Sequence, residues 1–292
     1  MMKSQDIWLV NNPASGSNDQ DALDALTGQC DDAGLCLTRR IAFPHQDLPA
    51  PGELDAAGIR TVAVFAGDGT VNALVTALQG WSGAILVLPG GTMNLLSQRL
   101  HGPRSSDEIV QSLIRGDARR IRPSIVHCVT GSDTEDAPTG TALAEVLAGP
   151  ATAWSEAREA FRDRDIAAVV EDAIEAASQS IDGVRVHCAD PAKGRGDGYP
   201  LLMVTPQREE FSVKAYHADR FMEYAQQGMA ILGHRFRDGP HEELGKFSQM
   251  MVKSADETAI PMLIDGEPVH GSGSVRFVLG ECGVDLIATG ER

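Results

Sequence analysis

Thr61-Val62-Ala63-Val64-Phe65-Ala66-Gly67-Asp68-Gly69-Thr70-Val71-Asn72 passes from a continuously apolar run, through two glycines flanking an aspartate, into a stretch that places Leu74, Val75 and Leu78 at i, i+1 and i+4. An apolar run without alternation suits a strand covered on both faces, and the spacing after it suits a helix packed on a sheet. Strand, tight turn and helix together form the βα half of a parallel α/β unit. The same grammar extends in both directions. Ile7-Trp8-Leu9-Val10 leads to a helical pattern over 19–33, Leu35 to Ile41 reads as a strand, and Ile85-Leu86-Val87-Leu88 leads through a second glycine turn to a helix over 93–100. Residues 105–116 open on an N-capping signature and close on Gly116, which predicts one more helix before a boundary near 118–124.

Beyond that boundary the pattern changes to short strand candidates: Val184 to Cys188, Leu201 to Thr205, Phe211 to Tyr216, Met250 to Val252, Met262 to Ile264 and Val275 to Leu279. Gly, Pro and charged turns separate them, so the second part reads as mostly β. A helical stretch rich in Ala, Glu and Arg is expected over 151–180, and polar loops over 131–140 and 189–198. The organisation expected is an α/β domain over 1–123 and a β-rich domain over 124–292, with the last few residues able to return to the first.

Composition bounds the function. The 292 residues are 42% hydrophobic, with no apolar run of the roughly 18 residues a membrane span needs. The N-terminus enters a strand-like segment without a secretory signal pattern, so a cytoplasmic protein is expected. Lys and Arg total 25 against 41 Asp and Glu, a formal charge of −16, which argues against nucleic acid as a partner. The five cysteines are scattered and never spaced C-x-x-C, which suggests neither a disulfide framework nor a zinc site. Arg115, Arg119, Arg120 and Arg122 form a local basic cluster, read either as a phosphate or head-group contact or as a solvated helix end.

Three turns carry the chemistry, each where a strand ends, at the edge where open α/β sheets bind ligands. Asn12-Pro13-Ala14-Ser15-Gly16-Ser17 offers small residues and hydroxyls that let backbone N–H groups close on phosphate oxygens. In Gly67-Asp68-Gly69-Thr70 the glycines lack Cβ atoms that would hold a phosphate chain off, and a helix N-terminus follows. Asp68 is the informative residue, because a carboxylate beside phosphates is repulsive unless it binds Mg²⁺ or orients a hydroxyl. Pro89-Gly90-Gly91-Thr92-Met93-Asn94 repeats the arrangement, with Thr92 able to cap the helix or donate to a nucleotide. There is neither a Walker A lysine motif nor a G-x-G-x-x-G fingerprint after the first strand.

In this order and spacing, the three turns resemble the catalytic domain of the diacylglycerol kinase family, which includes bacterial lipid kinases, sphingosine kinases and ceramide kinases. Ile264-Asp265-Gly266-Glu267-Pro268 is similar to that family's D-G-E motif. The resemblance implies an N-terminal Rossmann-like domain of the phosphofructokinase and NAD-kinase type, a C-terminal β-sandwich, and a lipid site in the cleft between them. It implies Mg-ATP as the phosphoryl donor and a hydroxyl-bearing lipid such as diacylglycerol as acceptor, with peripheral membrane contact. Carried over by position, nucleotide contacts fall on Asn12, Ser15, Gly16, Gly67, Gly69, Thr70, Asn72, Gly91 and Thr92. Glu267 takes the role of general base and Asp68 that of Mg²⁺ ligand, with Asp68 also open as the base. Homodimerisation stays open.

The sequence departs from the family pattern at Ala66 and Ala73, where the second motif usually has Gly and Glu. Pro206 to Phe211 stands where many bacterial members carry an acidic D-D-G segment near a structural metal. Two rivals therefore stand beside the lipid kinase: a catalytically degenerate lipid or nucleotide sensor, and an NAD-kinase-like or sugar kinase. The terminal D-G-E motif speaks against the second rival.

Overall fold

The computed structural model describes residues 5–15, 20–130, 139–152, 185–217 and 241–290. The chain divides into one unit of residues 1–123 with 281–292, and another of residues 124–280. The stretch 151–180 expected to be helical lies almost wholly outside the described residues, as does Gly16.

The first unit runs β1 (Gln5–Asn11), α1 (Gln20–Asp32), β2 (Leu35–Ala42), α2 (Pro51–Ala56), β3 (Thr61–Ala66), α3 (Asp68–Ala77), β4 (Ala84–Pro89), α4 (Leu95–His101), α5 (Ser106–Arg115) and β5 (Arg119–Ile121). The second runs β6 (Ser124–Thr130), β7 (Gly140–Ala142), β8 (Val146–Ala148), β9 (Val186–Asp190), β10 (Ala192–Lys193), β11 (Leu201–Pro206), β12 (Phe211–Tyr216), β13 (His241–Phe247), β14 (Gln249–Ser254), β15 (Pro261–Ile264), β16 (Glu267–His270) and β17 (Ser274–Glu281). The chain then returns to the first unit as β18 (Asp285–Ala288).

The sheet of the first unit has the order β2-β1-β3-β4-β18-β5, parallel except for the β18–β5 pair. Alternation sorts its side chains. Ile7 and Leu9, Ala63 and Phe65, and Leu86 and Leu88 share a buried cluster with Leu23, Leu26 and Cys30 of α1 and Ile109 and Val110 of α5. Val62, Val64, Ile85 and Val87 are as deeply buried but face the other way, and the buried Leu74 of α3, Leu78 just after it, and Leu96 and Leu100 of α4 stand outside that cluster. Helices on both faces explain why these strands read as unbroken apolar runs. Helix α5 closes as its sequence predicts: Ser105 and Glu108 form a reciprocal capping box, and Gly116 ends the helix in the left-handed region.

The basic cluster is absorbed into this unit. Arg120 and Arg122 both pair with Asp285 of β18, Arg119 donates to the Gly290 carbonyl, and Arg115 pairs with Asp117. These contacts tie β5 and Arg122 just after it to the returning strand.

The second unit contains two six-stranded sheets among its described residues, ordered β10-β9-β14-β17-β6-β7 and β13-β12-β11-β8-β15-β16. Val126, Val252 and Phe277 of the first and Val146, Val204, Phe211 and Met262 of the second fill one shared core. The stretch expected as a polar loop over 189–198 includes the short β9–β10 hairpin. Among the described residues no helix is long and apolar enough to cross a membrane.

Candidate functional site

Strand β1 lies between β2 and β3, and the chain leaves it through α1 toward β2 on one side, while α3 leads on from β3 toward β4 on the other. The carboxyl ends of β1 and β3 therefore flank a topological switch point, where turns diverge and a ligand can enter. Three predicted turns meet there. Asn12 shapes the first: its Oδ1 accepts from Ala14 N at 2.9 Å, and its carbonyl accepts from Ser15 N at 3.0 Å. Its Nδ2 donates across to Thr70 Oγ1 at 3.1 Å, and Ser15 Oγ accepts from Gly67 N at 3.2 Å. As acceptors here, the Ser15 and Thr70 hydroxyls each keep a proton to donate elsewhere.

The second and third turns approach backbone to backbone. A Cβ on Gly91 would stand 2.5 Å from Gly67 Cα, and one on Gly90 would stand 2.5 Å from Ala66 N. Only glycines allow that approach. Around Gly67 the nearest atoms to a hypothetical Cβ are Ser15 Oγ at 3.7 Å and Gly91 Cα at 3.9 Å, so the protein itself does not crowd that position. Asn94, in the left-handed region at φ 51°, closes the third turn on itself: Gly91 N donates to its Oδ1 and its Nδ2 donates to Gly91 O, both at 2.8 Å.

Asn94 spends its side chain in that ring and makes no cap for α4. Asp68 does so instead, its Oδ2 and Oδ1 accepting the N–H groups of Leu95 at 3.1 Å and Leu96 at 3.2 Å. A carboxylate at a helix N-terminus satisfies orphan donors and the positive end of the dipole together. Asp68 thus sits in the first turn of α3 and at the head of α4, locking the second turn to the third.

Of the residues predicted for nucleotide binding, hydrogen bonds and close backbone contact join Asn12, Ser15, Gly67, Thr70 and Gly91, and Asp68 is bonded into the same cluster. Gly69 and Asn72 lie on α3 and are half-buried, and Thr92 is exposed in the third turn. Glu267 belongs to the second unit. It opens β16, is exposed, and pairs with Ile264 across a two-residue hairpin turn of Asp265 and Gly266, at φ 50° and 92°. That turn is anchored from within: buried Asp265 accepts from Leu143 N at 2.7 Å, Ala144 N at 2.8 Å and Glu145 N at 2.9 Å. Burial pushes the Cys128 thiol up to about 12, and the negative charge of Asp265 adds to the effect.

Residues 6–125 match the family model of the diacylglycerol kinase catalytic domain. The resemblance drawn from the three turns, all inside that segment, is borne out. The whole chain is similar to solved structures at low identity. A crystal structure described as a diacylglycerol kinase from Bacillus anthracis str. Sterne is 15% identical with a TM-score of 0.55, over 99% of this chain and 98% of that one. A second structure, described as a putative diacylglycerol kinase from the same organism, is 14% identical with a TM-score of 0.57, over 99% of both chains. At such identity the likeness concerns the fold. No curated protein matches the chain.

Within the segment that matches the family model, Asn94 and Asp68 do structural work that the spacing of the motifs does not reveal. Asn94 was within reach of sequence reading, since a helix entered from a glycine turn favours an Asn at a left-handed position. The side-chain partners of Asp265 lie 120 or more residues away, and nothing local announces them. Among the described residues no three His, Cys, Asp or Glu side chains gather into a metal cage. Mg²⁺ commonly uses one or two protein carboxylates and completes its shell with phosphates and water; the carboxylate in the three turns that could hold it is Asp68, whose two oxygens also accept from Leu95 and Leu96.

Proposed function

We propose that the protein is an ATP-dependent lipid kinase that transfers the γ-phosphoryl group to a hydroxyl of diacylglycerol or a related lipid. The reading rests on one observation above all: three small-residue turns interlocked at the β1–β3 switch point, with Asn12 on Thr70, Ser15 on Gly67 and Gly91 against Gly67. The Ser15 and Thr70 hydroxyls and the N-terminus of α3 converge there, donors suited to a phosphate chain. On this reading the first unit is Rossmann-like, of the phosphofructokinase and NAD-kinase type, and the second is a β-sandwich that receives the lipid during peripheral membrane contact.

Phosphoryl transfer passes through a loose transition state, so the protein's contribution is alignment and charge neutralisation. Asn12, Ser15, Gly67, Gly69, Thr70, Asn72, Gly91 and Thr92 would hold the nucleotide. Asp68 would hold Mg²⁺, which when bound neutralises charge on the β- and γ-phosphates. Glu267, exposed on its hairpin, would accept the proton of the lipid hydroxyl.

The test is to add purified protein and Mg-ATP to vesicles of extracted bacterial lipids containing diacylglycerol, and to survey by mass spectrometry which lipids gain a phosphate. ATP binding is measured in parallel without lipid. Binding without transfer to any lipid favours the sensor reading that Ala66 and Ala73 motivate; absence of ATP binding sinks the kinase reading.

A further inference from the structure

Two adjacent arginines on β2 have different surroundings. Arg39 lies over the Trp8 ring, 4.4 Å from its centroid, and pairs with Glu53 of α2. Packing and an ion pair account for it. Arg40 is exposed, and its Nε donates to Asn11 Oδ1 at 3.0 Å. Its register partner is Leu9, two residues before Asn11, so the side chain leans toward the carboxyl end of the sheet.

Asn11, the last residue of β1, is fully buried, yet its Nδ2 has no hydrogen-bond partner. A buried amide N–H without an acceptor is destabilising, a cost that an apolar residue of similar size would not incur. What Asn11 supplies against that cost is one oriented contact, its Oδ1 on Arg40. The next residue is Asn12, whose side chain reaches Thr70 in the first turn of α3. The three turns contain no Lys or Arg, and their one carboxylate, Asp68, adds negative charge. A polyphosphate bound there finds no cationic side chain within the turns themselves, and guanidinium forks match phosphate geometry.

We propose that Arg40 is a phosphate-binding residue at the carboxyl edge of β1 and β2, and that Asn11 is the residue that positions it. The proposal rests on the reading of the first unit as a nucleotide site. Its test is calorimetric titration of the full-length protein and of Arg40→Ala, Arg40→Lys, Asn11→Leu and Asn11→Asp with Mg-ATP, tripolyphosphate and adenosine, alongside thermal unfolding.

Loss of a charge-assisted contact should weaken Mg-ATP and tripolyphosphate by about 10–100-fold in Arg40→Ala and leave adenosine unchanged. Arg40→Lys should recover part of that loss. Asn11→Leu should lower polyphosphate affinity while its melting temperature holds or rises, a combination that a purely structural role does not produce, and Asn11→Asp should retain affinity. Unchanged polyphosphate affinity in Arg40→Ala, with ATP bound normally by the parent protein, overturns the proposal and leaves the nucleotide reading standing. A parent protein that binds neither ATP nor tripolyphosphate overturns both. If Asn11→Leu does not fold, Arg40→Ala, altered at an exposed side chain, decides alone.

Discussion

Asp68 accepts the backbone N–H of Leu95 across 27 residues, so the aspartate of one glycine turn is the cap of the helix that follows another. Replacing it therefore has two separable effects. Asp68→Ala should destabilise the protein by about 1–2 kcal/mol through loss of the α4 cap, and Asp68→Asn, which keeps one acceptor, by less. Urea unfolding reads the cap. Mg²⁺-dependent phosphoryl transfer by the Asn variant reads the metal role, because that variant keeps part of the cap without the charge. Equal stability in the parent and Asp68→Ala would remove the cap from the argument.

The approach of Gly91 to Gly67 makes a steric prediction. A methyl group at position 91 would meet Gly67 Cα at 2.5 Å and force the second and third turns apart. Gly91→Ala should cost about 1–3 kcal/mol, the usual range for overpacking, and weaken nucleotide binding at least about tenfold. Gly67→Ala meets nothing closer than 3.7 Å and should fold nearly as well as the parent, yet lose nucleotide affinity if a phosphate occupies the uncrowded side of Gly67. Thermal melts and ATP titration of the two variants separate packing from binding.

Glu267 and Asp265 stand two residues apart with opposite surroundings. Glu267→Gln, at an exposed position, should leave stability unchanged and cut turnover by about 10²–10⁴-fold with ATP affinity nearly intact. Asp265→Ala strands three buried N–H groups and should cost about 3 kcal/mol or more. Full turnover in Glu267→Gln would take it out of the mechanism.

His101 makes the first unit sensitive to acid. Burial pushes its imidazole down to about 4, the nearby Arg104 guanidinium acts in the same direction, and its Nδ1 lies 2.9 Å from Thr289 Oγ1. The unfolded chain takes up this proton near pH 6.5 and the folded one only near 4, so stability falls as pH drops from 6.5 to 4, by about 3 kcal/mol for this group. Chemical unfolding at pH 7 and pH 4.5 should show the loss, and His101→Gln should flatten that part of the profile.

Much of the architecture could be read locally. The apolar runs at 62–65 and 85–88 are unbroken because helices cover both faces, and that cause leaves a pattern visible in a few residues. Helix α2 escaped notice because six residues are too short to display a helical period. Strands β7 and β8, three residues each, carry no alternation that could be recognised. Strand β13, an edge strand with Glu242, Glu243 and Lys246 around its two core-facing residues Leu244 and Phe247, shows too little apolar alternation to be recognised.

By itself the sequence determined the three turns and their place at strand ends, since glycine, proline and capping residues act on their immediate neighbours. Tertiary structure decided what those residues bond to. It put Asp68 on α4, Arg120 and Arg122 on Asp285, and Asp265 on the N–H groups of Leu143 to Glu145. Such pairings depend on which groups are brought within about 3 Å of each other once the strands are ordered, and hydrogen bonding of that range leaves no trace in linear spacing.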